Sequence, residues 1–196
     1  MLLAGGLARR MGGGDKPLLR IGGRPLLELA IGRLAPQCAG LVINANGDPA
    51  RFAAFGLPVV PDSVPNFAGP LAGVLAGMEA AAASGLDDVL SAPADTPFLP
   101  TDLVERLYAA RAAAGAEIAV AASDGQTHHA VALWPVKLRE ELRRALVEED
   151  FRKVSGFILR YPSVAVTWRA QPLDPFFNVN SPEDMARAES YVAGRR

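Results

Sequence analysis

The sequence predicts an α/β domain built on a mostly parallel β-sheet, and three observations carry that expectation. Short apolar runs alternate with helix-like segments along the chain. The runs Leu41-Val42-Ile43, Pro58-Val59-Val60 and Val89-Leu90 are apolar throughout, as expected of strands covered on both faces. Hydrophobic residues make up 50% of the 196-residue chain, enough for one substantial core, so 1–196 is expected to be a single domain.

Taken in order, Met1 to Ala4 form a first strand that meets glycine early, where a typical strand runs about five or six residues. That brevity leaves open a start upstream of Met1. Leu26, Leu27, Ala30, Ile31 and Leu34 recur on one helical face, with Pro25 placed where a missing amide proton costs little. Leu71 to Ala83 is alanine-rich, and its Gly73 and Gly77 predict a helix that approaches neighbouring backbone closely. Leu103, Leu107, Ala110 and Ala114 mark another helix, preceded by Pro100. Glu117 to Ala122 and Ala130 to Trp134 read as strands; Lys137 to Val147 and Pro182 to Val192 read as helices. Ser181 suits an N-cap, with Pro182 in the first turn and Glu183 and Asp184 favoured by the helix dipole.

Charge and composition exclude several classes of function. Lys plus Arg total 20 against 21 Asp plus Glu, and a net charge of -1 gives no general attraction to nucleic acid or to an anionic membrane. Any phosphate must therefore be held locally. Apolar runs are too short for a membrane span, and the N-terminal residues do not form a signal peptide, so a cytoplasmic protein is expected. Cys38, the one cysteine, excludes an internal disulfide and is read as a small residue ending a helix.

The most informative segment is Leu3-Ala4-Gly5-Gly6-Leu7-Ala8-Arg9-Arg10-Met11-Gly12-Gly13-Gly14-Asp15-Lys16. A strand opens into glycines, whose backbone amides can face an anion without a Cβ in the way. Arg10 offers a planar fork of donors and Lys16 a compact charge, together suited to β and γ phosphates and a leaving pyrophosphate. Lys16 follows Asp15 and precedes Pro17, which separates the loop from the Gly-Lys-Ser/Thr phosphate loop.

This segment resembles the signature loop of the molybdenum cofactor nucleotidyltransferases, particularly the guanylyltransferases of the MobA type. The resemblance implies a Rossmann-like nucleotidyltransferase fold, a three-layer α/β/α sandwich. It also implies GTP as donor, because the Leu-Ala-Gly-Gly version, here Leu3, Ala4, Gly5 and Gly6, accompanies GTP use, whereas Leu-Ala-Ala-Gly is usual in the cytidylyltransferases.

Ser91-Ala92-Pro93-Ala94-Asp95-Thr96-Pro97 places a carboxylate just beyond an apolar run, at the edge where open α/β sheets bind ligands. A hard oxygen ligand there suits Mg²⁺, which completes its shell with phosphate oxygens and water. The bland alternative is a turn or cap before Pro97. The family's Pro-x-Asp-x-Pro segment matches here, and its aspartate, Asp95 in this chain, is the metal ligand by resemblance. By resemblance too, Asn44 in Val42-Ile43-Asn44-Ala45-Asn46 and Asp62 in Pro61-Asp62-Ser63 contact the guanine nucleotide. A carboxylate can accept from guanine N1 and its exocyclic amine together, although the group that reads the base is left open.

Asn178 and Asn180 match an Asn-x-Asn motif that the family places near the catalytic centre and the pterin. Arg152 and Lys153 resemble a basic segment lying toward molybdopterin, or are a solvated helix end. His128 and His129 are assigned no catalytic role, since adjacent residues of a strand point to opposite faces. The expected reaction is attack by the terminal phosphate of Mo-molybdopterin on the α-phosphorus of GTP, with Arg10, Lys16 and Asp95 as catalytic residues. Transient contact with molybdoenzymes or their chaperones would follow. The alternatives are a cytidylyltransferase or sugar-phosphate nucleotidyltransferase on the same fold, or a non-catalytic nucleotide- and cofactor-binding module.

Overall fold

The alternating apolar runs assemble into a twisted sheet in a computed structural model, which describes residues 1–5, 15–64 and 69–194. Strand β1 (Leu2–Leu3) is followed by a small hairpin, β2 (Arg20–Ile21) and β3 (Arg24–Pro25), which leads into helix α1 (Leu26–Leu34). Then come β4 (Ile43–Asn44), β5 (Val59–Val60), α2 (Pro70–Ala83), β6 (Asp88–Pro93) and α3 (Leu103–Ala114). The remainder is β7 (Ile118–Ser123), β8 (Gln126–Pro135), α4 (Arg139–Val147), α5 (Val154–Ile158), β9 (Ser163–Trp168) and α6 (Pro182–Ala193).

Among the described residues the main sheet has seven strands in the order β5-β4-β1-β6-β8-β7-β9, with only β8 running against the others. The mostly parallel expectation therefore holds. The order reverses at β1: the chain moves outward to β4 and β5, then α2 carries it back to β6 on the other side. This is a topological switch point, where the loops after neighbouring strands part and leave a crevice.

Two apolar layers cover the sheet. On one face Leu27, Ala30 and Leu34 of α1 and Leu103 and Leu107 of α3 pack with Leu2, Ile43, Ala92 and Ala119. On the other, Leu71, Leu75 and Met78 of α2, Leu142 and Leu146 of α4, and Phe157 of α5 pack with Ile118, Val120 and Trp134. Trp134 is fully buried and donates its Nε1–H to Ser91 Oγ at 2.9 Å, so the largest core side chain leaves no polar atom unpaired. Helix α6 seats Ala188 against Ile21 and Leu26, closing over the small hairpin.

The structure departs from the sequence expectations at five places. The run 41–43 is strand only at its end, and the helix expected from Lys137 begins as a 3₁₀ turn at Val136–Leu138. Strand β9 and the β2–β3 hairpin are additional, and β8 begins at Gln126, earlier than Ala130.

Gly73 and Gly77 are the close approaches anticipated for α2. A Cβ at Gly73 would meet the Asn44 side chain and stand 2.6 Å from Leu3 Cδ2, while one at Gly77 would meet the Met1 side chain. Gly73 thus makes room for a polar side chain at the end of β4. Gly73→Ala is expected to destabilise the fold by about 1–3 kcal/mol through overpacking. A urea unfolding curve measures this, and an unchanged midpoint would mean that Asn44 moves aside at little cost.

Candidate active site

Hydrogen-bond register brings the ends of the central strands level. Leu3 pairs with both Asn44 and Pro93, and Asn44 with Val60, so the residues after β1, β4, β5 and β6 emerge around one crevice. A cleft of about 540 Å³ opens there, bordered by Leu3 and Gly5, Asn44, Asn46, Asp62, Gly69, Lys16, Asp95 and Asn178. Ala4 sits behind it, buried, with its N–H donated to Asn44 O at 2.8 Å. Gly6 and Arg10 lie outside the described residues. Another cavity, of about 480 Å³, lies between the opposite ends of the strands, bordered by Cys38, Gly77, Asp88 and Tyr108, away from every residue singled out for chemistry.

Lys16 starts a short 3₁₀ turn with Pro17 at its second position. Its ammonium reaches across the crevice, where Nζ pairs with Asp95 Oδ2 and donates to Asn180 Oδ1. The Lys16 and Asp95 side chains are only 11% and 15% exposed, so water screens this pair weakly. Asn178 Nδ2 donates to the other carboxylate oxygen, Asp95 Oδ1, at 3.2 Å, and the buried Thr96 hydroxyl donates to Asn178 Oδ1 at 3.3 Å. Backbone bonds hold the arrangement: Val179 N–H donates to Asp95 O at 3.1 Å, and Asn180 N–H donates to Asp184 Oδ2 at 2.9 Å. Ser181 caps α6 as expected, its Oγ accepting from Asp184 N–H at 3.2 Å. The cap therefore fixes Asn180, while Thr96 and Asp95 hold Asn178.

A second polar wall faces this cluster. Asn44 Nδ2 donates to Asp62 Oδ1 at 2.9 Å, and Asn46 Nδ2 donates to Asp62 Oδ2 at 2.7 Å. Asp62 N–H returns a bond to Asn46 Oδ1 at 2.9 Å. Arg51 donates to Asn46 O and also pairs with Asp15, the residue before Lys16, so both walls are tied together.

The structure thus brings Lys16, Asp95, Asn178 and Asn180 together and sets Asn44 and Asp62 opposite them. Arg152 is bonded to Asp150, and neither Arg152 nor Lys153 borders the cleft. Asn46, Arg51 and Thr96 are additional; Asn46 and Thr96 lie inside the matched segments, beside the residues that drew attention.

A correction concerns His128 and His129. Both border one cavity of about 470 Å³ that shares Pro93, Ala130 and Asn178 with the cleft. Alternation fails because the ladder slips: Val120 pairs with Ala132 but Ala121 pairs with His128, so residues 129–131 leave the regular pleat.

Among the described residues no three His, Cys, Asp or Glu side chains cluster as a metal site. Asp95 Oδ2 and Asn180 Oδ1 nevertheless converge on one cationic nitrogen. Two hard oxygens so placed suit an ion such as Mg²⁺, which takes few protein ligands when a triphosphate supplies others.

Comparisons with known proteins agree with this geometry. The family model described as MobA-like NTP transferase domain matches residues 1–164. The chain is 62% identical to a molybdenum cofactor guanylyltransferase from Rhodopseudomonas palustris strain BisB5, over 96% of this chain and 91% of that one. It is 60% identical to one from Bradyrhizobium sp. strain ORS 278, over 98% and 92%. Its fold matches the crystal structure of molybdopterin-guanine dinucleotide biosynthesis protein A from Archaeoglobus fulgidus with a TM-score of 0.74 at 23% identity, covering 98% and 97% of the two chains. A 2-C-methyl-D-erythritol 4-phosphate cytidylyltransferase from Thermus thermophilus shares the fold with a TM-score of 0.69 at 22% identity, covering 98% and 97%. With a crevice at the switch point, the Lys16–Asp95 centre and these matches over nearly all its length, the chain belongs to the MobA-like NTP transferase family.

Proposed function

We propose that the chain is a molybdenum cofactor guanylyltransferase, transferring GMP from GTP to the phosphate of Mo-molybdopterin and releasing pyrophosphate. The observation that carries this reading is the convergence of Lys16, Asp95, Asn178 and Asn180 between two adjoining cavities. One cavity takes the nucleotide and the other the acceptor. The reading is supported by the 62% identity to a relative of that name.

The nucleotide base lies against Asn44, Asn46 and Asp62. A carboxylate has about four lone-pair sites, and the two asparagine amides occupy one on each oxygen. A second site on each remains for guanine N1–H and its amine, donors that cytosine cannot match as a pair. Pre-bonded to both asparagines, the carboxylate is oriented before the nucleotide arrives.

In the reaction an oxygen of the acceptor phosphate forms a bond to the α-phosphorus while the bond from that phosphorus to the bridging oxygen of pyrophosphate breaks. No side-chain nucleophile is required, because the acceptor phosphate is already ionised near neutral pH. Lys16, joined from the loop by Arg10, neutralises charge on the departing pyrophosphate. Asp95 and Asn180 would supply oxygens for Mg²⁺, whose charge would offset that of the triphosphate. Asn178, locked by Thr96, keeps Asp95 oriented.

Pyrophosphate release by the purified protein with Mg²⁺ and Mo-molybdopterin is expected with GTP and absent with CTP; release with CTP alone would overturn the base assignment. Lys16→Ala and Asp95→Ala should each lower kcat by about 10²-fold or more, while Asn180→Ala, which removes one of the two oxygens facing the metal and borders the acceptor cavity, raises both the Mg²⁺ requirement and the KM for the acceptor. Full activity in the first two variants would place the chemistry elsewhere. Asp62→Ala is expected to weaken GTP binding about tenfold or more, the loss of a charge-assisted donor pair, with the acceptor KM unchanged. Titration calorimetry with GTP measures it, and equal affinity in the variant would remove Asp62 from base recognition.

A further inference from the structure

The acceptor-side cavity contains a polar cluster that the mechanism does not use. Strand β7 ends at Ser123, and Asp124 and Gly125, with φ of 43° and 76°, turn the chain tightly into β8. The regular register of this hairpin, Ser123 opposite Gln126 and Ala121 opposite His128, then sets His128 beside Ser123, with 2.6 Å between Ser123 Oγ and His128 Nε2. Asp174 arrives from the segment after β9. Its Oδ2 accepts from Ser123 Oγ at 2.8 Å and its Oδ1 from Phe176 N–H at 2.9 Å. The Phe176 ring packs on the imidazole, centroids 4.8 Å apart, and meets Trp168 edge-on at 5.4 Å.

These contacts determine which imidazole nitrogen carries a proton. The serine has one hydroxyl proton, and the carboxylate, which can only accept, takes it. Ser123 Oγ is then an acceptor toward His128, so Nε2 bears hydrogen and Nδ1 presents its lone pair. Burial lowers the His128 pKa below its ordinary value, with Asp174 opposing and His129 adding to the shift, which favours the neutral ring. Nδ1 has no hydrogen-bond partner among the described residues, and no buried side-chain nitrogen or oxygen among them lacks one. Nδ1 therefore reaches solvent, and the open space beside His128 is the cavity. The cluster is no hydrolytic triad: Ser123 is fully buried, and it stands between the histidine and the aspartate.

The cavity's charge indicates which end of the acceptor it receives. Asp174 and Asp184 border it, and no lysine or arginine does among the described residues. A phosphate is unwelcome against such a wall, whereas a reduced pterin presents an exocyclic amine and ring N–H groups, all donors, together with a flat face for Phe176 and Phe177. We infer that Ser123, His128 and Asp174 form a specificity element for the acceptor's fused heterocycle, in which the lone pair of His128 Nδ1 accepts from a ring N–H or amine. This rests on the guanylyltransferase reading. The phosphate end then points toward Asn178, Asn180 and Lys16, where attack occurs.

The test is steady-state kinetics of the full chain with GTP and Mo-molybdopterin, alongside GTP titration and thermal melts, for wild type, His128→Gln, His128→Asn and Ser123→Ala. His128→Gln keeps an amide able to reach Ser123 but places no acceptor at the Nδ1 position. It should raise the acceptor KM about tenfold, the effect of one hydrogen bond, with kcat and GTP affinity within about twofold. His128→Asn, whose Oδ1 stands near the Nδ1 position, should recover most of that loss. Ser123→Ala, a smaller change that frees the tautomer, should shift KM in the same direction and provides the test if His128→Gln folds poorly. An unchanged acceptor KM in both His128→Gln and Ser123→Ala, or a parallel loss of GTP affinity, would overturn the inference while leaving the transferase reading intact. Wild-type protein without turnover would overturn both.

Discussion

The contact between Lys16 and the Asp95–Asn180 pair of oxygens organises the site. It joins three segments that are far apart in sequence: the turn that begins at Lys16, the end of β6 and the approach to α6. Each of those segments also serves the fold. The Lys16 turn leads into the β2–β3 hairpin, Asp95 O receives the backbone of Val179, and Asn180 N–H is held by the residue that helps cap α6. A largely buried ion pair contributes little net stability once desolvation is counted, but removing one partner strands the other charge. What the pair contributes here is position, since it ties the Lys16 turn to the end of β6 and to the segment that leads into α6.

That arrangement bears on how a metal and a triphosphate would enter. The lysine ammonium neutralises the oxygens that suit a cation. On the proposed function, a nucleotide arriving with its own metal would replace one positive partner with another, and the lysine would turn to the phosphates. Such an exchange would leave no buried carboxylate unpaired at either stage, so that a site made of groups otherwise costly to bury would not oppose the fold.

The mostly parallel sheet and most of the site are legible in the sequence because each is written locally. Apolar runs of strand length, the stripe on α1, Ser181-Pro182 before α6 and the carboxylate just beyond β6 all depend on neighbours within a few positions. Asn178 and Asp95 are legible as candidates, but not their bond to one another, because a separation of 83 positions leaves no local trace. Strand β9 escapes the pattern of apolar runs because Ser163–Trp168 alternates in exposure, an edge-strand signature that follows directly on a proline-bearing turn. Asp124-Gly125 is the hairpin signal that marks the earlier start of β8. The correction at His128 and His129 is of a different kind. Alternation assumes an unbroken pleat, and no side chain announces that residues 129–131 leave it.

That irregularity borders the cavity proposed for the acceptor. β8 pairs with β6 only from Ser91 back to Asp88, so beyond Ser91 the two strands part at the end of the sheet where the site lies. Pro93, Ala130 and Asn178 border both cavities where the strands part. An in-line displacement needs the entering and leaving groups on opposite sides of one phosphorus, and so needs two openings that meet at the catalytic residues. The switch point at β1 provides one opening by topology, as in any sheet of this order. The other requires a local break in a ladder, and the strand that breaks is β8, the one member of the described sheet that runs against the rest.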